Sequence, residues 1–388
     1  MQKQLPRAIL IDIVPPTFSK EECAHRLREA EGLVSTYGGV IVVHTVQRRS
    51  APDPRTYVGR GKVEELADVV RAHKADILII NGNVKPRQIF EVSETLRKLV
   101  NPQMGHGVTK TVQVWDRVDL ILKIFALHAK TAEAKLQITL ASIGHMGPRI
   151  YKMGMDLSQQ GGGIGTRGAG ETNTEKMKRH LAELKRTIEK KLEHQSQVHE
   201  TNRKSRLRAE MKSVSIVGYT NAGKSSLLNA LTHKGTYVAD ALFATLSTST
   251  AKLFVDGAST DIVLSDTIGF IQDLPPQLIS AFRSTLEETV RADVLLHVVD
   301  ASDIRVREKI AVVHQILEGL GANAIPKILV LNKVDMVGEK KVIKELEKLL
   351  TGGEIPLVDY PMVTVSARIG EGLEELKKVI VETARKIK

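Results

Sequence analysis

The stretch Gly218-Tyr219-Thr220-Asn221-Ala222-Gly223-Lys224-Ser225 carries the residue types that hold a chain of phosphates. Glycines bare the backbone N–H groups to an anion, Lys224 can reach the β- and γ-phosphates, and the Ser225 hydroxyl can ligate Mg²⁺. Such a spacing arises by chance in about one chain in a hundred of this length. Here Asp266-Thr267-Ile268-Gly269, Asn332-Lys333-Val334-Asp335 and Ser366-Ala367 follow it in order, which makes coincidence negligible. Asp266 offers a carboxylate on the metal side through water, and the Gly269 N–H can touch the γ-phosphate and so sense its loss. Asn332 and Asp335 can read guanine edges, the carboxylate accepting from two N–H groups that adenine does not present. Lys333 can lie over the base, and the backbone of Ser366-Ala367 can contact O6. The expectation is GTP or GDP held by Gly218, Asn221, Ala222, Gly223, Lys224, Ser225 and Ser226 on the phosphate side, with Lys224 and Gly269 also acting in hydrolysis. An ATP-directed P-loop protein fits the Asn-Lys-Val-Asp and Ser-Ala segments poorly.

The apparatus for hydrolysis is less complete than the binding site. Many GTPases carry a glutamine after the glycine of this second motif to orient the attacking water, whereas this chain has Phe270 and then Ile271. Slow intrinsic turnover is expected, with a residue elsewhere, a cation or a partner completing the site. Asn221 has two readings that the sequence leaves open: a side chain that helps hold K⁺ in place of an arginine finger, or an ordinary loop-capping asparagine.

The elements around these motifs suit them. The apolar run Val214–Val217 precedes the phosphate loop and Ser225-Ser226-Leu227-Leu228-Asn229-Ala230-Leu231 follows it, a strand–loop–helix context in which a helix dipole assists anion binding. Strands are expected near Ser213–Val217, Ala251–Val255, Asp261–Leu264, Val294–Val299, Lys327–Leu331 and Met362–Val365, giving a doubly wound α/β domain with every motif at a strand's carboxyl end. Toward the N-terminus, Ala8–Ile13, Val40–Val46 and Asp76–Ile80 read as buried parallel strands alternating with helical patterns over Ser19–Ser35 and Lys62–His73. No phosphate-binding glycine fingerprint follows them, and Gly59-Arg60-Gly61-Lys62 reads as a turn into a helix.

Between these parts, Asp119–Ile143 reads as one long helix and Thr174–Met211 as a second, with Met177, Leu181, Leu184, Ile188 and Leu192 on an apolar stripe among Lys and Arg. A long two-helix, coiled-coil-like subdomain follows from that pair. The intervening Gly161–Glu171 stretch, with Arg167, is either a plain connector or a loop whose backbone can approach phosphates. The division expected is an N-terminal α/β subdomain over 1–118, a helical hairpin over 119–212 and a nucleotide domain over 213–388.

A chain of 388 residues with 42% hydrophobic content is long enough for two or three cores. One cysteine, Cys23, excludes a disulfide framework, and neither a spanning run nor a signal-peptide core is present, so a cytoplasmic, monomeric protein is expected. The net charge of +11 is uneven: +7 over residues 1–173, +6 over 174–212 and −2 over 213–388. A polyanionic partner for the first half follows, and with only 4% aromatic residues the contacts expected are to phosphates or folded RNA, not stacked bases.

Several further segments resemble the HflX family of ribosome-associated GTPases over nearly the whole chain. They are Tyr57–Leu66, Lys135-Leu136-Gln137, Gly165–Thr172, Phe243-Ala244-Thr245-Leu246 and Asp266–Pro275, the last with a hydrophobic residue in the glutamine position. The resemblance implies that Thr245 joins Ser225 and Asp266 at Mg²⁺ in the GTP state and takes part in hydrolysis. It also implies binding to the large ribosomal subunit and its RNA, and separation of the subunits of stalled or stressed ribosomes. The chain departs from the family pattern at Ala169 and Thr174, in and after the glycine-rich segment, and at Ser247-Thr248 after the switch threonine. The leading expectation is thus a GTP-hydrolysing switch on the large subunit. The rivals are an RNA-binding or remodelling protein regulated by GTP, and a protein-signalling switch that would leave the basic helix without a purpose.

Overall fold

A computed structural model describes residues 5–100, 112–129, 131–145, 173–208, 211–232, 243, 249–255, 261–267, 269–271, 286, 289–337, 344, 346, 348, 350 and 360–387. Thr245, Arg167 and the Gly161–Gly170 stretch lie outside them. The chain divides into two compact units, residues 1–127 with 135–191, and residues 128–134 with 192–388.

In the first unit, β1 (Arg7–Val14), β2 (Val40–Arg48), β3 (Ile77–Ile80) and β4 (Gln113–Asp116) form a parallel sheet in the order β2-β1-β3-β4. Helices α1 (Lys20–Tyr37), α2 (Arg60–His73) and α3 (Pro86–Val100) complete the βαβ crossovers. Ser19 starts α1 with a full capping box: its hydroxyl accepts from Glu22 N–H and the Glu22 carboxylate takes the Ser19 N–H. The turn expected at Gly59-Arg60-Gly61-Lys62 is the entry to α2, with Gly59 at φ 91°. Ile9, Ile11, Leu66, Leu78, Ile80, Val92 and Leu96 form the core.

The single helix expected over Asp119–Ile143 is instead two. Helix α4 covers Arg117–His128, and α5 covers 132–145. The physical reason is local: Thr131 Oγ accepts the Ala134 N–H at 3.1 Å, an N-cap that starts a new helix. The long basic helix, α6 (Asn173–Arg208), takes most of the expected span, with Leu181 and Ile188 of the expected apolar stripe buried, Met177 exposed, and Lys176, Lys185, Arg186, Lys190 and Lys191 exposed.

In the second unit, six strands run in the order β10-β9-β8-β5-β7-β6: β5 (Lys212–Gly218), β6 (Ser249–Leu253), β7 (Ile262–Asp266), β8 (Val294–Asp300), β9 (Lys327–Asn332) and β10 (Met362–Thr364). All neighbours are parallel except β6, which pairs antiparallel with β7 at the edge. Helices α7 (Lys224–Thr232), α8 (Val306–Gly319) and α9 (Leu373–Arg385) pack on the sheet, Leu227, Leu228, Leu376 and Ile380 filling one core with Val214, Ile216 and Leu296. No helix among the described residues is long and apolar enough to cross a membrane.

Candidate functional site

The doubly wound order brings the carboxyl ends of β5, β7, β8 and β9 together, and the predicted motifs hang from them. Three segments carry most of the site: one after β5, one after β7 and one after β9, with the Ser366-Ala367 turn beside the last.

The loop after β5 is shaped by residues that tolerate left-handed backbone. Asn221 sits at φ 62° and Gly223 at φ 90°. A Cβ on Gly223 would stand 2.2 Å from Asn332 Nδ2, so no larger residue fits there. Lys224 begins α7 and turns back over the loop, its Nζ donating to Tyr219 O at 2.9 Å and to Gly218 O at 3.3 Å. Burial lowers its pKa to about 8, a shift that the Asp266 carboxylate partly opposes. The Ser225 hydroxyl donates to Asp266 Oδ2 at 2.6 Å. Ser226 is partly buried in the first turn of α7.

The segment after β7 is laced to this loop. Phe270 N–H donates to Gly218 O at 3.0 Å and Thr220 N–H donates to Phe270 O at 2.7 Å, so the two cannot move independently. Thr267 Oγ anchors the turn on Ile216 O at 2.7 Å. Gly269 is pinned by close approach, a Cβ there standing 2.8 Å from Lys224 Nζ. Phe270 is buried in a cluster with Val217, Leu286, Leu295 and Val313. Its ring is therefore core, and a hydrophobic side chain occupies the water-orienting position.

The residues expected on the base side are bonded to one another. Asn332 Nδ2 donates to Ala222 O at 2.9 Å, and its Oδ1 accepts from Ala367 N–H at 3.0 Å, which ties the phosphate loop to the Ser366-Ala367 turn. Asp335 Oδ1 accepts from Ser366 Oγ at 2.7 Å. Lys333, at φ 63°, donates to Asn221 O at 2.8 Å and to Asp300 Oδ2 at 2.7 Å. Asp300 is not among the residues that the sequence nominates. Its signal is an acid closing the buried run Val294–Val299, at the carboxyl end where such sheets bind ligands.

Of the predicted residues, Gly218, Asn221, Ala222, Gly223, Lys224, Ser225, Ser226, Asp266, Gly269, Asn332, Lys333, Asp335, Ser366 and Ala367 thus fall on neighbouring segments, and Thr245 lies outside the described residues. The Ser225 and Asp266 oxygens, 2.6 Å apart, suit the metal side of a nucleotide. Ser225 Oγ gives its hydrogen to Asp266 and keeps a lone pair for the ion, which the Asp266 carboxylate can reach through water.

Burial of Lys224 makes nucleotide binding depend on pH. In the free protein the ammonium loses its proton above pH about 8, below its ordinary value, because burial disfavours the charge. Bound phosphates favour the charged form, so binding must take up a proton once the pH exceeds that value. GDP affinity is expected to be flat from pH 6 to 7.5 and to fall by up to about tenfold per pH unit above 8. Titration with a fluorescent GDP analogue across pH 7–10 checks this, and a flat profile would overturn it.

Three family descriptions match parts of the chain: "GTP-binding GTPase N-terminal" over residues 24–126, "GTP-binding GTPase Middle Region" over 128–206 and "50S ribosome-binding GTPase" over 213–333. GTPase HflX of Escherichia coli K12 is 38% identical over 97% of this chain and 82% of its own length. GTPase HflX of Caldanaerobacter subterraneus is 40% identical over 85% of this chain and 73% of its own. GTPase HflX of Methanocaldococcus jannaschii is 34% identical over 88% and 79%. Among solved structures, the complex of SsGBP with GDP matches with a TM-score of 0.51 at 25% identity, covering 98% of this chain and 99% of that one.

Proposed function

The chain belongs to the HflX family of GTPases and hydrolyses GTP, and from that premise we propose that it is a switch whose GTP form binds the large ribosomal subunit and separates the subunits of stalled ribosomes. The observation that carries this reading is the set of exposed cations Lys176, Lys185, Arg186, Lys190 and Lys191 distributed around α6, in a chain whose nucleotide domain is itself slightly acidic. Such a basic helix can neutralise RNA phosphates, and the GTPase supplies the on and off states. In this reading 1–118, 119–212 and 213–388 act as an α/β subdomain, a helical arm and the motor, in a monomer of the cytoplasm.

In the site, Lys224 and the loop amides of Gly218–Gly223 hold the phosphates, and Ser225, Thr245 and Asp266 hold Mg²⁺. The ion would draw charge from the β- and γ-phosphate oxygens as the bond to the γ-phosphorus breaks. Gly269 reports loss of the γ-phosphate to the segment that Phe270 ties to the loop. Asn332, Lys333, Asp335 and the Ser366-Ala367 backbone select guanine. With Phe270 in the core, free turnover is slow and the ribosome accelerates it. Potassium is the finer cation assignment, with Asn221 as the residue proposed to help hold it, and turnover faster in potassium than in sodium salts would support that role. Equal turnover would leave an asparagine chosen for its left-handed backbone.

Sucrose-gradient sedimentation tests the reading. With a non-hydrolysable GTP analogue the protein should co-migrate with large subunits, and with GDP it should not. Raising salt from 50 to 200 mM should weaken co-migration by about 10-fold or more through counterion release. Arg167→Ala should weaken it too and lower ribosome-stimulated hydrolysis, leaving the intrinsic rate unchanged. Binding of free RNA without co-migration would favour the rival, an RNA-remodelling protein regulated by GTP.

A further inference from the structure

Away from the nucleotide site, the first unit gathers three metal-ligating side chains from three places in the sequence. Asp116 ends β4, Asp119 lies in the first turn of α4, and His145 is the last described residue of α5. All are buried, with 0%, 3% and 8% of their surface exposed. His145 Nε2 stands 3.1 Å from Asp116 Oδ1 and 3.4 Å from Asp119 Oδ1, and one donor atom from each residue lies within 4.8 Å of the others.

The carboxylates are oriented by the backbone. Asp119 N–H donates to Asp116 Oδ1 at 2.8 Å, Asp116 N–H to Asp119 Oδ2 at 3.2 Å and Val84 N–H to Asp116 Oδ2 at 3.4 Å. Those bonds set both carboxyl planes, with one oxygen of each near the imidazole. Two chemistries suit the gap: a proton on Nε2, or a metal ion. A proton lies on one line from the nitrogen, so it serves one oxygen well and the other poorly. An ion between the three donors meets each along its own lone pair. With metal–ligand bonds of about 2.1 Å, neighbouring donors stand ~3.4 Å apart around a tetrahedral ion and ~3.0 Å around an octahedral one. The two nitrogen–oxygen separations here, 3.1 and 3.4 Å, fall in that range before any adjustment. A divalent ion also balances both buried carboxylates, where the proton balances one.

We propose that Asp116, Asp119 and His145 form a structural site for a divalent transition ion of the Zn²⁺ class, with water in the remaining position. The imidazole nitrogen sets the class, because Mg²⁺ and Ca²⁺ take oxygen shells. The ion would fasten the end of α5 to the β4–α4 junction, a connection between segments 26 residues apart at their nearest, Asp119 and His145.

The test frees the full chain of metals on a chelating resin, then saturates it with GDP and excess Mg²⁺ so that the phosphate site is filled, and titrates it calorimetrically with ZnCl₂. One Zn²⁺ per chain is expected, with affinity falling about 100-fold or more in Asp119→Asn and in His145→Gln while GDP affinity stays at the parent value. X-ray absorption at the zinc edge of the parent adduct should show a nitrogen and oxygen shell with one imidazole and no sulfur, a readout that holds even where the variants fail to fold. No zinc uptake by the parent, uptake unchanged in both variants, or a sulfur ligand from Cys23 would each overturn the site. The cluster would then be a histidine hydrogen-bonded to the two carboxylates, with no metal role.

Discussion

Replacing Lys224 with alanine should leave a folded protein whose GTP binding is sharply weakened and whose GTP turnover is abolished. The ammonium is buried under the phosphate loop and held there by the carbonyls of Gly218 and Tyr219. Those carbonyls are neutral partners, so full compensation of the charge waits for phosphate oxygens. Removing one partner of a buried, hydrogen-bonded charge pair costs about 2–5 kcal/mol, which is ~30-fold to several thousand-fold in affinity. As the bond to the γ-phosphorus breaks, negative charge moves onto the β–γ bridging oxygen, where a lysine ammonium stabilises it, so the loss in kcat/KM should exceed the loss in GDP affinity. The fold should survive, because an alanine at the start of α7 favours the helix and relieves a buried ammonium. Equilibrium binding of GDP and single-turnover hydrolysis on the variant, with circular dichroism as the control, decide the matter. Turnover equal to the parent's would sink the assignment of the phosphate site.

How far the sequence reaches depends on how local each determinant is. Most strands of both sheets are readable because each is a continuous apolar run, such as Ala8–Ile13 or Val294–Val299, bounded by turn residues. The phosphate loop is readable because its glycines and Lys224 lie within one short stretch, Gly218–Ser225. What escapes depends on pairing or on single caps. The antiparallel direction of β6 is fixed by its edge position beside β7, and so short a strand carries no sign of direction. The short β4 is a strand because it pairs with β3, not because Gln113-Val114-Trp115-Asp116 has a period. The break before α5 rests on one hydroxyl of Thr131 inside a sequence whose apolar spacing carries on through it. In the site, Asp300 escapes because its partner Lys333 is 33 residues away and only the β8–β9 pairing brings them together. The Asp116, Asp119 and His145 cluster is hidden for the same reason, since no motif spacing spans a strand end and two helices.

Asp335→Asn should change the base that the protein prefers more than it changes the strength of the phosphate site. The Asp335 carboxylate is oriented by Ser366 Oγ at 2.7 Å, while Asn332 is locked to the Ala222 carbonyl and the Ala367 N–H. The two side chains therefore stand in fixed positions before the base arrives, and little reorganisation blurs their selectivity. A carboxylate accepts from the guanine ring N–H and its exocyclic amine together. An amide in its place keeps one acceptor and sets a donor against the other N–H, leaving a base group unpaired. That mismatch costs about 2–4 kcal/mol, or ~30- to 1000-fold in GTP affinity. Xanthine carries a carbonyl where guanine carries the amine, so the new amide donor gains a partner and xanthosine triphosphate should bind the variant better than it binds the parent. The phosphate loop is untouched, so turnover of that nucleotide at saturation should approach the parent's turnover of GTP. Competition binding of GTP, ATP and xanthosine triphosphate to both proteins measures the shift. Equal GTP affinity in variant and parent would remove Asp335 from base recognition. Weaker binding of all three nucleotides alike would mean that Asp335 acts by holding the Ser366 turn, and base selection would then rest on Asn332 and the Ala367 backbone.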